Sequence, residues 1–371
     1  MQKEKKKKHG KIYGFLQLVI YLVLGMTLGL LVGKYTYAEG ESQIHFLGTL
    51  GMLFAAVYLQ VLIHEGGHLV CGILSGYSFL SFRVGSLILV KKPAGLQLKR
   101  YALAGTGGQC LLDPPEPKDG MIPVFLYNLG GPLANLFTAV LSFLLWQFLP
   151  MPWAWKTLCF CLTLTGTVLG LVNGIPLHMG AIDNDGMNAV SVSRSQKANR
   201  ALRLQLKMNA ELTRGKRLRD MPDSWFQTDP NDLKNPLIAA LAVYGEARLM
   251  EQGRLQKAKA QCIRLLEPDN GLLGIYRQGI TLDLISNQLL LGENPQEVEN
   301  LLTKELNSFM KQMKGDLSVI RTRYLLTLLK DREPERAEKI RKEFEKRIES
   351  YPSEGNILLE REIMGFASIE H

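Results

Sequence analysis

The chain has 371 residues, enough for two domains of ordinary size, and a formal net charge of +9. Its five cysteines are an odd number without a C-x-x-C pair, which excludes a disulfide framework. A basic chain suits nucleic acid, but basic clusters beside long apolar spans more often set orientation in a membrane, and no nucleic-acid-binding motif is present. We therefore expect no nucleic-acid partner.

Four apolar segments are long enough to cross a bilayer, since a spanning helix needs about 20 apolar residues. They are approximately 12–34, 46–74, 121–149 and 154–177. The first follows a lysine-rich N-terminus, but it is too long for a signal-peptide core and no small-residue cleavage site ends it, so we predict that it is retained. The sequence therefore predicts an α-helical membrane protein with about four transmembrane helices.

The charged residues predict how these spans are oriented, because Lys and Arg concentrate in cytoplasmic loops. The N-terminus is lysine-rich, the loop 35–45 carries only acidic charges, the stretch 79–119 is basic, and the tail opens with basic residues within 194–203. Four spans with both termini in the cytoplasm satisfy every loop. We expect a multi-pass protein of a cell membrane, specifically a bacterial plasma membrane, with the lipid bilayer as a partner.

Residues 79–104, between the second and third spans, have a pattern typical of strands. Two short apolar runs, Phe79 to Val84 and Leu87 to Val90, are followed by a turn at 93–95 and a returning segment, 96–103. The pattern predicts a small β-hairpin at the cytoplasmic membrane surface. A glycine-rich stretch then leads to a loop with three prolines.

A change from apolar to charged composition places the main domain boundary near residue 190. Residues 1–190 form a predicted transmembrane domain, and 191–371 a predicted all-α soluble domain in the cytoplasm. Helical patterns in the tail break at Gly253 and near Pro334, which loosely resembles tetratricopeptide-like helix pairs, although an unrelated helical bundle explains the breaks equally well. We expect a partner protein or a second copy of the chain to bind through this tail.

The second span contains the sequence His64-Glu65-Gly66-Gly67-His68. On a helix, histidines four positions apart lie on one face and can bind one Zn²⁺, and the glutamate between them can take a proton from water at the metal. Ionisable residues inside a membrane are costly and usually functional. Interhelical hydrogen bonding is the alternative explanation, but it does not account for two histidines and a glutamate at zinc spacing.

A catalytic zinc usually has three protein ligands and one open position, so a third ligand must come from elsewhere in the chain. His178, Asp183 and Asp185, after the fourth span, are all candidates. His45 is not, because about 19 helical residues at about 1.5 Å each separate it from His64 and place it near the opposite membrane face.

Three elements of the sequence resemble the site-2 proteases, a family of intramembrane zinc metalloproteases. They are the His64-Glu65-x-x-His68 helix, Gly131-Pro132-Leu133-Ala134-Asn135 in the third span, and Asn173-Gly174-Ile175-Pro176 followed by Asp185-Gly186. The resemblance covers roughly residues 44–190. Its specificity comes from the order and spacing of three motifs across three spans.

The resemblance implies which group is the third zinc ligand. In the family this ligand is an aspartate that precedes a glycine, which corresponds to Asp185 beside His64 and His68. The gap between Pro176 and the Asp-Gly pair is longer than in many members, so Asp183 stays an alternative metal ligand.

The function implied by the resemblance is that of a zinc metalloendopeptidase acting on membrane-embedded or membrane-proximal peptide bonds. Zinc-activated water attacks the peptide carbonyl with Glu65 as general base. Asn135 and Asn173 are expected to position the substrate or shape the site, and interhelical hydrogen bonding explains them equally well. The expected substrate is a membrane protein or a peptide precursor. The alternative function is a non-catalytic zinc-binding membrane scaffold or regulator that acts through its helical tail.

Overall fold

The computed structural model describes residues 43–92, 95–102, 107–179 and 182–367, together with residues 31, 33 and 34. Contacts divide them into two compact units. The first comprises the described residues up to Cys71 and those within Phe125–Val190, and the second comprises the described residues within Gly72–Val124 and from Ser191 onward. The predicted span 12–34 lies outside the described residues except for those three positions.

Long apolar helices, a small sheet and a series of shorter helices follow one another along the chain. In order, they begin with α1 (Gln43–Leu74), β1 (Ser78–Val84), β2 (Leu87–Lys92), β3 (Gly95–Arg100), β4 (Gly108–Asp113), α2 (Phe125–Phe148), α3 (Trp153–Gly174), β5 (His178–Met179), β6 (Ile182–Asp183) and α4 (Asp185–Ser193). The tail then contains α5 (Gln196–Thr213), α6 (Pro236–Glu251), α7 (Leu255–Leu265), α8 (Gly274–Leu290), α9 (Pro295–Leu301), α10 (Lys304–Gln312), α11 (Leu317–Leu325), α12 (Pro334–Ile348) and α13 (Glu354–Phe366). A π-helical turn, Leu326–Lys330, follows α11.

Three of the described helices, α1, α2 and α3, are long and apolar enough to cross a membrane. Large apolar side chains cover their surfaces, including Phe54 and Phe137, which are 70% and 71% exposed. Such apolar surface is what a lipid-facing helix presents. The predicted second, third and fourth spans are therefore confirmed as long apolar helices. α3 ends at Gly174, earlier than predicted, because Ile175 precedes Pro176 and adopts extended backbone.

Glycines allow these helices to pack closely. A Cβ added at Gly67 of α1 or at Gly130 of α2 would collide with the backbone of the other residue. Between α2 and α3, a Cβ at Gly166 would lie 2.8 Å from Asn135 O. Small residues permit such close approach where the hydrophobic effect between helices is weak.

The four longer strands form one antiparallel sheet in the order β3-β2-β1-β4. Gly85 and Ser86 alone connect β1 to β2, and Gly85 has a φ of 58°, which glycine adopts without strain. The predicted hairpin is present as β1, β2 and β3. The structure adds β4, where the sequence predicts only a connection. The side chains of Cys110 and Leu112, two alternate residues of β4, are buried, and β4 forms its backbone hydrogen bonds with β1.

Ion pairs connect the sheet to the tail helices within the second unit. Lys92, at the end of β2, is 6% exposed and donates to Glu354 Oε1 at 2.9 Å. Asp113, at the end of β4, pairs with Lys207 at 3.2 Å and with Arg214 at 2.5 Å. Each pair joins a buried side chain of the sheet to a more exposed partner on or next to a tail helix, so these contacts attach the sheet to the tail helices.

All described elements after residue 191 are helical. α6 and α7 separate at Gly253, which has a φ of 70°, and α12 begins at Pro334, so the two breaks lie where the sequence predicts them. α13 contacts α5 and α6, the first helices of the tail. This contact closes the tail into a bundle, whereas each repeat of an open solenoid contacts only its neighbours.

Candidate metal centre

α1 presents His64 and His68 one turn apart on the same face. Their ring centroids are 4.7 Å apart, and their Nε2 atoms are 3.1 Å apart. This is the juxtaposition that a spacing of four residues predicts on a helix. Both side chains are largely buried, with exposed fractions of 15% and 12%. The two Nε2 atoms therefore face a common position.

The third group at this position is the carboxylate of Asp185, the first residue of α4. Its Oδ2 lies 3.1 Å from His64 Nε2 and 3.6 Å from His68 Nε2. Burial raises the pKa of Asp185, but the hydrogen bonds and charges of the two imidazoles lower it by more, to about 2. The carboxyl group is therefore ionised at neutral pH, as a metal ligand must be.

Asn184 holds the turn that brings Asp185 to the histidines. Its Nδ2 donates to Val172 O and Ile175 O, at 2.6 Å each, and its Oδ1 accepts from the backbone N–H of Met187 at 2.9 Å. The last contact is an N-cap for α4. One side chain thus connects the end of α3 to the start of α4. Sequence reasoning missed this role, although an asparagine just before a helix is a common capping signal.

Hydrogen bonds on the far side of each ring determine where the imidazole protons lie. His68 Nδ1 is 2.8 Å from Tyr127 O, a carbonyl that only accepts, so this nitrogen carries a proton. His64 Nδ1 is 2.6 Å from Asn135 Oδ1. Asn135 Nδ2 donates to Gln60 O at 2.8 Å, which makes Oδ1 the acceptor for His64. In neutral rings, both Nε2 atoms therefore present lone pairs to the common position.

The geometry of the three donor atoms fits a tetrahedral zinc ion. Zinc bonds of about 2.0–2.2 Å to nitrogen and oxygen place tetrahedral ligands about 3.3–3.6 Å apart. The separations among the two Nε2 atoms and the carboxylate oxygen are 3.1, 3.1 and 3.6 Å, each within about 0.2 Å of that range. Two imidazoles and one carboxylate are also a donor set that zinc accepts. When both rings are neutral, the two Nε2 lone pairs and the carboxylate converge on one position, and a cation there removes their mutual repulsion.

Two glycines make room for this cluster. A Cβ at Gly131 would lie 2.6 Å from both His64 Cε1 and His68 Nε2, which is closer than non-bonded atoms approach. A Cβ at Gly186 would collide with the backbone of Gly174. The glycines of the Gly-Pro and Asp-Gly pairs are therefore required by close packing around the site.

Of the two aspartates that the sequence offers as third ligand, the structure brings Asp185 to the histidines. Asp183 lies in β6, where its backbone pairs with that of His178, and its carboxylate is outside the cluster. Glu65 is half-buried on α1, immediately after His64.

The two predicted asparagines lie in different settings. Asn135 is fully buried and binds both His64 and Gln60 of α1. Asn173 instead donates to Leu169 O of its own helix at 3.0 Å. The buried Asn135 is thus placed to orient an imidazole. Sequence reasoning missed Gln60, although its position four residues before His64 puts it on the same face of α1.

Asn135→Leu is expected to weaken zinc binding by about 10–100-fold, because a ligand that loses its hydrogen-bond partner loses its orientation. Asn173→Leu is the matched control and is expected to leave zinc affinity within about twofold, since the Asn173 amide bonds only its own helix. Competition with a chelator of known affinity measures both constants, and thermal unfolding checks that both variants fold. Equal losses in the two variants would contradict the assigned role of Asn135.

Among the residues that the structure describes, one group of His, Cys, Asp or Glu side chains has the spacing of a metal site, and it is His64, His68 and Asp185. Comparisons of the chain with protein-family models, with curated proteins and with solved structures find no match.

Proposed function

We propose that this chain is an intramembrane zinc metalloendopeptidase of the site-2 protease type. The observation that carries the proposal is the convergence of His64, His68 and Asp185, whose ligand atoms all lie within 4.8 Å of one another. Two of these donors belong to α1, a helix long and apolar enough to cross a membrane. Ionisable side chains in a membrane-spanning helix are energetically costly and usually have a function. This favours a metal site over a purely structural hydrogen-bond network.

The roles of the side chains follow from their positions. Zinc bound by His64, His68 and Asp185 supplies Lewis-acid activation of a water molecule and of the peptide carbonyl. Glu65 accepts a proton from the attacking water and passes it to the leaving amine. Asn135 holds the His64 ring in the orientation that exposes its Nε2 lone pair, so the donor set is arranged before the metal binds.

The proposed substrate is a membrane protein or a peptide precursor that is cut within or beside the bilayer. A transmembrane helix encloses its peptide bonds in its own hydrogen bonds, so the segment must unwind before water reaches a carbonyl. The charge pattern supports a multi-pass membrane protein with both termini in the cytoplasm, and we propose that this membrane is a bacterial plasma membrane.

Comparative membrane proteomics of cells that express the wild-type chain or Glu65→Gln tests the proposed function. At least one membrane protein or peptide precursor is expected to accumulate uncut in the variant, with the new termini found only with the wild type. Asp183→Ala is the matched control, since it removes a carboxylate outside the cluster, and we expect it to cleave as the wild type does. Identical termini in wild type and Glu65→Gln would contradict proteolysis and favour the non-catalytic scaffold.

A further inference from the structure

The tail contains a groove whose lining residues are distant in sequence from the metal cluster and include none of its ligands. It has a volume of about 370 Å³ and lies between α6, α7 and the segment 226–233. Phe226, Leu233 and Leu249 give it an apolar floor. Gly245 leaves this space empty. A Cβ there would have only Phe226 within 4 Å, with the nearest atom at 3.7 Å, so a larger side chain could occupy the groove.

Two arginines hold the segment that forms one side of this groove. The Arg248 guanidinium lies 4.6 Å from the centroid of the Phe226 ring and 2.5 Å from Asp223 Oδ1. Arg200, on α5, donates to Gln227 O of the segment 226–233 at 3.3 Å and to Ser224 O, just before it, at 2.6 Å. The groove is therefore part of the packed tail, with its wall held from two helices.

The groove carries positive charge that is not neutralised. Arg248, Arg254 and Arg264 line it, and none of its lining residues is acidic. Asp223 pairs with Arg248, whereas Arg254 and Arg264 are exposed and form no ion pair with any residue in the described part of the chain. Two such arginines at the rim of an apolar groove complement a ligand that carries carboxylates.

Gln252 and Gln261 add amide groups to the same groove. Both are half-buried, and neither side chain makes a hydrogen bond to the described residues. A glutamine side chain both donates and accepts hydrogen bonds, so it can bind the backbone C=O and N–H groups of an extended peptide. Amides, apolar floor and arginines together favour a peptide segment over a compact anion such as phosphate.

We propose that this groove binds an extended acidic segment of a partner protein, in which glutamate or aspartate alternates with apolar residues. Arg254 and Arg264 are separated by about 15 Å along α7, at about 1.5 Å per residue, and an extended segment of about five residues spans that distance. The apolar side chains enter the floor while the carboxylates pair with the two arginines. A flat bilayer surface does not reach a floor recessed between two helices. The groove shares no residue with the metal cluster, so this proposal is independent of the protease.

Fluorescence anisotropy of a labelled octapeptide of alternating glutamate and leucine tests the proposal on the full chain in detergent micelles. Arg254→Glu/Arg264→Glu is expected to raise the dissociation constant by at least about tenfold, because two attractive charge pairs become repulsive. Gly245→Leu fills the groove without changing the charge, and we expect it to weaken binding by a similar factor. Thermal unfolding checks that each variant folds.

Matched controls make the same changes outside the groove. Lys342→Glu/Lys346→Glu alters the charge equally on the exposed face of α12, and Gly365→Leu enlarges a position on α13 where a Cβ meets nothing within 4 Å. Both controls are expected to bind the peptide as the wild type does. The proposal is overturned if the wild type does not bind the peptide, if the groove variants bind like the controls, or if a lysine–leucine octapeptide binds as tightly. Displacement of the peptide by short-chain phosphatidylglycerol at lower concentration than by unlabelled peptide also overturns it, since the groove is then a lipid site.

Discussion

Asp185→Ala is expected to remove zinc from the purified chain. The variant keeps His64 and His68 but loses the anionic donor, whose Oδ2 lies 3.1 and 3.6 Å from their Nε2 atoms. Since the loss of a ligand's hydrogen-bond partner costs about 10–100-fold in metal affinity, the loss of a ligand itself is expected to exceed about 100-fold. Elemental analysis after dialysis is expected to find about one zinc per wild-type chain and below about 0.1 per variant chain.

Asp183→Ala is the control that separates the two aspartates. Its carboxylate is outside the cluster, so this variant is expected to retain about one zinc per chain. Retention of zinc by Asp185→Ala with loss by Asp183→Ala would show that the other aspartate is the ligand. Retention by both variants would contradict the three-ligand cluster, and His64→Ala then shows whether the histidines bind metal at all.

Glu65→Gln is expected to abolish peptide hydrolysis while the chain keeps its zinc. Glutamine has nearly the same size and shape as glutamate but cannot accept the proton of the attacking water. The rate is expected to fall by roughly 10²–10⁴-fold, the contribution usual for a positioned acid or base. Cleavage of the substrate identified by proteomics is measured with purified chain in detergent, together with zinc content.

The combination of the two measurements decides the role of Glu65. Glu116→Gln makes the same chemical change at an exposed site outside the cluster, and we expect it to cleave at the wild-type rate. Full zinc content with lost hydrolysis is the signature of a general base. Unchanged hydrolysis in Glu65→Gln would exclude this residue as the base, and loss of zinc would show that it supports the metal instead.

Several parts of the fold follow from local sequence because local physics determines them. Hydropathy over about 20 residues predicts the three described apolar helices. Gly253 and Pro334 predict breaks in the tail, since one favours a positive φ and the other cannot continue a helix. β4 was not predicted, because its short run before the prolines becomes a strand only through pairing with β1. Strand pairing is a non-local interaction that a short window does not contain.

In the candidate site, too, one part follows from local sequence and another depends on contacts between distant segments. The i, i+4 spacing is enough to put His64 and His68 on one face of α1, because helical geometry is set within a single turn. The sequence left Asp183 and Asp185 as rivals, two residues apart and both after the same span. The folded chain brings Asp185 rather than Asp183 to the histidines, because Asn184 caps α4 and orients the turn so that Asp185 reaches the Nε2 atoms. That choice depends on contacts between helices distant in sequence, which no local pattern encodes.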